Sequence, residues 1–499
     1  MPLAPGDPLT PGYGSTKDAK RIPIEEAETL TKIPVIPISY HDALPLLDAL
    51  KGPVAPYNWR GALPITYHIG PGPATVRLKL EFNWEQRTAY NVIASMKGST
   101  YPDEWVIRGN HHDAWVHGAN DPISGLVVMM EEARAIGELA KKGIRPKRTM
   151  MYCAWGAEEQ GLLGSTEWVE THANELRQKT VAYINTDGTG AGFLYAGGSH
   201  TLEKFFNEIT QEVKDPQTNV TVFERRNAME KVNGRTPWSH YKLGALGSGS
   251  DYSPFFQHLG IASFNMGFGG ESSGGEYHTM YDSYAHYKRF KDPTFQYSKT
   301  LVKVAGRTSL RLANAEVLPF EFDHFTKIIS SYADEVKKLA DKLRKETDKQ
   351  NELIANGIYA IVDNPKESLI APKKKEAVPY FNFAPVENAL NNLNKQSTKF
   401  TKVSRNGVAN VKNKTALNTL LKDMERALTK EHGLPKRPWY KHHIYAPGFY
   451  TGYGVKTLPG VREAIEQREF DEVEKQVNIL AEVINNFSSK IEEAVKLMK

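Results

Sequence analysis

Residues 104–122 read EWVIRGNHHDAWVHGANDP. The first six, Glu104–Gly109, form a short apolar run with a β-branched centre, the pattern of a strand buried on both faces. A loop rich in His, Asp and Asn follows, and then a stretch in which Leu126, Met130, Ala133 and Ile136 recur at helical spacing. Strand, polar loop and amphipathic helix make one α/β unit.

The same alternation continues outward. Tyr90–Met96, Thr149–Trp155 and Val181–Asp187 read as further strands, and Ser124–Lys142, Ser165–Glu175 and Thr201–Lys214 as helices. The sequence therefore predicts an α/β fold over 86–317, with a mixed, mostly parallel sheet sandwiched by helices. Residues 1–85 are rich in Pro and Gly and carry one short helical pattern near His41–Leu50, so they read as part of a domain. Residues 318–499 read as a C-terminal helical domain, with helices over Asp323–Asp348, Val386–Asn394, Asn413–Glu431 and Val461–Lys499.

The bulk composition narrows the function classes. A chain of 499 residues exceeds a single compact core. Its net charge of +5 is spread along the chain, and the tight run Lys373-Lys374-Lys375 reads as a solvated loop, so no nucleic-acid partner is expected. Cys153 is the single cysteine, which excludes an intrachain disulfide, and its apolar run makes it a buried small hydrophobe. The opening residues lack a basic and an apolar stretch, so no export signal is read there, and no stretch of about 18 apolar residues appears. Sequons at Asn219, Asn413 and Asn486 arise readily by chance.

In an open α/β sheet, ligands bind beyond the carboxyl ends of the strands. His111 and Asp121 follow the first strand quoted. Glu158 and Glu159 follow the strand Thr149–Trp155, and Asp187 ends the next. His278 comes later, beside the phenol of Tyr277. Each alone has a plain reading: a single histidine at a strand end is usually structural, and an adjacent Glu pair usually faces water. Three successive strands ending in carboxylates or imidazoles change that balance. An N/O set without cysteine matches a catalytic zinc site with an open position. One glutamate of the pair would ligate while its neighbour acts as general base. Asp113, two residues after His111, would accept the other ring N–H of His111 and orient it. Asp121 precedes Pro122, where a cis peptide bond is accessible, and cis is expected there.

The strings HHDAWVHGAND (111–121), WGAEEQGLLGSTEW (155–168), AYINTDGTG (182–190) and EYHTMYDSY (276–284) resemble, in order and spacing, the glutamate carboxypeptidase II family of di-zinc peptidases. That family shares a helical dimerisation domain with the transferrin receptor. The resemblance covers roughly residues 5 to 499. It implies that His111 and Asp187 bind one zinc, Glu159 and His278 the other, and that Asp121 bridges both. It makes Glu158 the general base and Tyr277 the donor to the oxyanion. It also implies a calcium ion held by Thr10, Tyr13, Glu167 and Glu170, a peptide substrate met by Leu162, Gly249, Ser250 and Tyr453, and a homodimer formed through the helical domain.

Some positions depart from the family pattern. Gly452, Asn265 and Gly267 stand where a lysine and two arginines that grip an acidic substrate end are expected, and Ser250 replaces an asparagine. A weaker preference for acidic substrates follows. The chain also opens inside what the resemblance identifies as an inserted protease-associated domain, so 1–85 is expected to be its remnant and the chain a truncated one. An extracytoplasmic or membrane-anchored location is implied by the resemblance alone, and localisation is otherwise unknown. Two alternatives stand beside the exopeptidase: a non-catalytic receptor or scaffold of the transferrin receptor type, and a single-zinc glutaminyl cyclase. Intact zinc ligands argue against the first and the helical C-terminal region against the second.

Overall fold

A computed structural model describes residues 3–70, 74–272, 274–363, 371–405 and 411–499. Its centre is a six-stranded sheet of β1 (Val92–Met96), β2 (Tyr101–His111), β3 (Arg148–Trp155), β4 (Thr180–Asn185), β5 (Gly192–Gly198) and β6 (Ser263–Gly270). The spatial order is β1-β3-β2-β4-β6-β5. Strands β3, β2, β4 and β6 run parallel, and the two edges, β1 and β5, are antiparallel to their neighbours. The expected mixed, mostly parallel sheet is present.

The register decides where the site lies. His111 pairs with Trp155, and Gly109 pairs with Cys153 on one side and Asn185 on the other. The carboxyl ends of β2, β3 and β4 are therefore level. Residues just beyond them, including Glu158, Glu159 and Asp187, emerge along one edge of the sheet.

Both faces of the central strands β2, β3 and β4 are covered. On one face Arg108 of β2 reaches helix Ile123–Lys141, donating from Nε to Glu132 Oε2 at 2.9 Å, with both side chains almost wholly buried. Its Nη1 donates to the carbonyl of Ile184 at 2.8 Å, so the buried guanidinium is held from two sides. Helix Gln296–Asn314 packs beside Ile123–Lys141 on this face. On the other face Tyr183 stacks on Phe255 with centroids 4.0 Å apart. The Tyr183 hydroxyl accepts from Trp155 Nε1 at 3.0 Å and donates to Asn185 Oδ1 at 2.7 Å. This hydroxyl lies against Gly109, where an added Cβ would stand 1.9 Å from it. The glycine is what admits the tyrosine.

Periodicity located the long helices well. Asp323–Ala355, Ala384–Arg405 and Phe470–Leu497 lie in the expected helical region, and the first two run longer than read. Phe322 and Phe325 meet Phe400 and Phe487 there. Four expected helices are broken or shortened, among them Thr201–Lys214, which is a 3₁₀ turn at His200–Leu202 followed by helix Glu203–Thr210. Ser165–Glu175 is two helices, Leu163–Thr171 and Ala173–Lys179. Asn413–Glu431 shortens to Lys414–Lys422 and a 3₁₀ turn, and Val461–Lys499 divides into Pro459–Glu466 and Phe470–Leu497. A hairpin of β7 (Tyr445–Pro447) and β8 (Val455–Thr457) was not foreseen.

The chain divides into two compact units. The larger joins Met1–Thr29, Thr88–Lys337 and Phe381–Lys499. The smaller joins Leu30–Arg87 with Lys338–Tyr380. In the smaller unit, helix Tyr40–Asp48 starts on Ser39, whose side chain accepts from Asp42 N, and Arg344 caps the carbonyls of Val378 and Pro379. Among the described residues no helix is long and apolar enough to cross a membrane.

Candidate active site

Five segments of the larger unit converge at the carboxyl edge of the sheet. His111 is the last residue of β2, and Asp121 lies in the loop leading to helix Ile123–Lys141. Glu158 and Glu159 sit in the turn after β3, Asp187 lies two residues past β4, and His278 comes from the loop after β6. The two oxygens of Asp121 face different imidazoles: Oδ1 is 3.1 Å from His111 Nε2 and Oδ2 is 3.4 Å from His278 Nε2. Asp187 Oδ1 lies 4.0 Å from His111 Nε2, and Glu159 Oε2 lies 3.2 Å from His278 Nε2. Glu158 Oε2 approaches His111 Nε2 at 3.9 Å. Donor atoms of His111, Asp121 and Glu159 all lie within 4.8 Å of one another.

The surrounding hydrogen bonds fix this arrangement. Asp113 differs from expectation in detail. His111 Nδ1 meets the backbone carbonyl of Asp113 at 2.9 Å, while the Asp113 carboxylate stands 3.7 Å off. That carboxylate instead accepts from the backbone N–H groups of Glu158 and Glu159 at 2.9 and 3.2 Å. The short spacing from His111 brings the carbonyl round first, and leaves the carboxylate to hold the turn after β3. Asp121 is aimed by Asp282, whose carboxylate accepts from the N–H groups of Asn120 and Asp121 at 2.7 and 3.0 Å. The Asp121–Pro122 bond is cis, as read. Asp187 Oδ1 accepts from Ser250 Oγ at 2.7 Å and from Asn185 Nδ2 at 3.0 Å.

Charge in the cluster is unbalanced. Four carboxylates face two imidazoles. Burial, with Asp121 next, pushes the Glu159 carboxyl up to about 7. Burial, reinforced by the charges of Asp251 and Asp187, raises Glu158 well above the usual carboxylate range. Burial opposes a charged His111, but the Asp113 and Asp121 carboxylates outweigh it and hold its pKa high. Such a surplus of negative charge, built from imidazole nitrogen and carboxylate oxygen, is the donor chemistry of zinc. The residues present fit that metal.

Tyr277 is half-exposed, stacks on the His278 ring with centroids 3.7 Å apart, and places its hydroxyl 3.4 Å from that of Tyr453. Tyr453 arrives from the β7–β8 hairpin and packs on Gly249, where a Cβ would stand 2.4 Å from its ring. Leu162 is fully buried with φ of +59° and precedes helix Leu163–Thr171. Ser250 is buried, and its hydroxyl is engaged with Asp187. Removing it leaves one oxygen of Asp187 with a single donor. Ser250→Ala should therefore weaken metal retention by about 10–100-fold, the range seen when partners of ligating groups are lost. Competition with a chelator measures this, and Ser250→Thr should restore most of it.

Of the residues read as calcium ligands, Glu167 accepts from Asp7 N at 2.6 Å, Ser15 N at 2.5 Å and Thr10 Oγ1 at 3.3 Å. Glu170 accepts from Trp439 Nε1 at 2.7 Å, and the Tyr13 hydroxyl donates to the carbonyl of Lys20. Burial pushes Glu167 up to about 7 and Glu170 to about 8.

Sequence reasoning passed over Asp282, Asn185, Tyr183 and Trp115, whose backbone N–H donates to Glu159 Oε1 at 3.2 Å. Asp282 stood inside a quoted motif with nothing to mark its role. Tyr183 and Asn185 act through contacts set by the sheet, and Trp115 through the loop after β2 returning to Glu159.

Residues 91–296 match Peptidase family M28, and residues 381–492 match the Transferrin receptor-like dimerisation domain. A probable glutamate carboxypeptidase LAMP1 of Arabidopsis thaliana is 36% identical over 468 residues, which is 92% of this chain and 61% of that protein. The aminopeptidase NAALADL1 of Mus musculus is 30% identical over 517 residues, 97% of this chain and 65% of that protein. The chain thus spans about three fifths of the length of these curated relatives. A zinc aminopeptidase from Bacillus subtilis of known structure aligns at TM-score 0.32 and 27% identity, over 44% of this chain and 50% of that one.

Proposed function

We propose that the chain, whose residues 91–296 match Peptidase family M28 and whose residues 381–492 match the Transferrin receptor-like dimerisation domain, is a di-zinc exopeptidase acting on small peptides. The observation that carries this reading is the pair of Asp121 oxygens, one facing His111 and one facing His278. In this reading His111 and Asp187 hold one zinc, Glu159 and His278 the other, and Asp121 serves both. Zinc bound there supplies Lewis acidity toward the scissile carbonyl and an attacking water. Glu158 takes the proton of that water and passes it to the leaving amine. Tyr277 donates its hydroxyl hydrogen where charge develops on the carbonyl oxygen. Asp113 keeps Glu158 and Glu159 in place through their backbone N–H groups. Metal removal by chelation should abolish hydrolysis and zinc alone should restore it; activity that survives full chelation would overturn the proposal.

The proposal extends to substrate preference. Asn265 is held by Asn185, and a side chain at Gly267 would collide with the Tyr195 hydroxyl at 2.3 Å. Neither position offers a cation to an acidic substrate end. A charge-assisted hydrogen bond contributes about 1.5–3 kcal/mol, so two missing donors amount to about 10²–10⁴-fold in preference. Neutral dipeptides or aminoacyl anilides should therefore be cleaved faster than N-acetyl-Asp-Glu. A tenfold advantage for N-acetyl-Asp-Glu would refute this.

We further propose the division 1–85, 86–317 and 318–499, with the first a part of a protease-associated domain. Pairing of two chains through the last gives a two-fold homodimer, the commonest closed symmetry. Light scattering at micromolar concentration tests it, a monomer being the contrary result. A calcium ion at Glu167 and Glu170, with main-chain or hydroxyl oxygens of Thr10 and Tyr13, would complete the set of hard oxygen donors. Calcium titration followed by melting temperature tests that part.

A further inference from the structure

A second group of metal-type donors lies away from the candidate active site. Glu203 opens helix Glu203–Thr210, which follows β5. Gly198, at the end of β5, pairs with Phe264, one residue from the start of β6. Glu203 is therefore carried past the edge of the sheet opposite to the one bearing His111 and Asp187. Two imidazoles meet it there: His240, from the loop after helix Val222–Val232, and His324, in the first turn of helix Asp323–Ala355.

The geometry is tight. Glu203 Oε1 lies 3.1 Å from His240 Nε2 and 2.5 Å from His324 Nε2, and the two imidazole nitrogens are 2.9 Å apart. The rings stand almost perpendicular, at 88°. One N–H on His324 Nε2 cannot point at both the carboxylate and the other imidazole. A single cation at the centre would use a lone pair from each of the three atoms at once. Zinc prefers this N, N, O set.

The donors are also oriented from behind. His240 Nδ1 is 2.9 Å from Ser239 Oγ, which leaves Nε2 for the centre. The second oxygen of Glu203 accepts from Leu243 N at 2.8 Å, which leaves Oε1. The segment carrying His240 is pinned by Trp238 N to Asn227 Oδ1 at 2.7 Å and by Tyr241 N to Asn207 Oδ1 at 2.9 Å. Outer bonds of this kind characterise built metal sites. Glu203 is buried, while His240 and His324 each keep about a quarter of their side chain exposed, so a fourth position faces solvent.

We propose that Glu203, His240 and His324 bind a zinc ion that fastens the start of helix Asp323–Ala355 to helix Glu203–Thr210. The proposal does not depend on the assignment of the candidate active site. The full chain is stripped by chelation, dialysed against zinc chloride alone and assayed for bound zinc, with the double variant His240→Gln, His324→Gln in parallel. The variant should hold one equivalent less than the parent, lose most of the zinc-dependent rise in melting temperature, and retain peptidase activity within about twofold at saturating zinc, since it leaves the residues at the other edge intact. Equal zinc content in the two proteins would overturn the proposal. Crystals of the parent grown in millimolar zinc give a second reading that needs no variant. Anomalous density among the three side chains supports the site, and its absence there refutes it.

Discussion

Replacing Glu158 by glutamine will reduce turnover by at least about 10²-fold and leave zinc content unchanged. The change keeps size and shape but removes the group proposed to accept the proton of the attacking water, and general acid–base catalysis is typically worth 10²–10⁴-fold. Glu158 stands 3.9 Å from His111 Nε2, farther than Asp121, and its backbone N–H is fixed by Asp113. An amide at that position should therefore stay where the carboxylate was. Burial and the nearby Asp251 charge favour a proton on Glu158 in the absence of cations, so the variant should fold at least as well as the parent. Rates with a neutral dipeptide and elemental analysis of the same sample check the two halves. Turnover within a fewfold of the parent would remove Glu158 from the mechanism.

Asp121→Ala will lose both zincs, whereas His278→Ala will mainly weaken one. Among the described residues, the carboxylate of Asp121 is the single group whose two oxygens face both imidazoles, at 3.1 and 3.4 Å. Removing it takes a ligand from each proposed ion together with the negative charge that offsets both. The loss of activity should exceed the about 10–100-fold expected when only a supporting partner is removed. Elemental analysis after exhaustive dialysis decides between outcomes. Two tightly held zincs in Asp121→Ala would end the shared role, and equal losses in the two variants would show that the ions do not bind separately.

The parts of the fold that the sequence displayed were those whose pattern is local. Strands β2, β3 and β4 are apolar runs ended by polar residues, and the long helices carry a sustained 3.6-residue rhythm. Strands β5 and β6 are rich in glycine, Gly192, Gly197 and Gly198 in one and Gly267, Gly269 and Gly270 in the other. Their strand character comes from pairing with each other, which no local window contains. The same division holds at the site. His111, Glu158 and Glu159 announce themselves at strand ends. The roles of Ser250 and Asp282 are set by chain folding that brings residues 63 and 161 positions apart into contact. Tyr453 reaches Tyr277 across 176 positions.

The close fit of Gly109 under the Tyr183 hydroxyl bears on how this protein would respond to random mutation. A methyl group at position 109 would press the tyrosine away from Asn185, and Asn185 is one of the two donors that hold Asp187. In a saturation screen scored by activity, Gly109 should rank with the proposed ligands themselves although it carries no reactive atom. Screening the same library for abundance alone would rank it with ordinary core positions. Its intolerance would thus mark the length of the lever, from Gly109 through Tyr183 and Asn185, by which packing inside the sheet reaches a carboxylate at the sheet's edge.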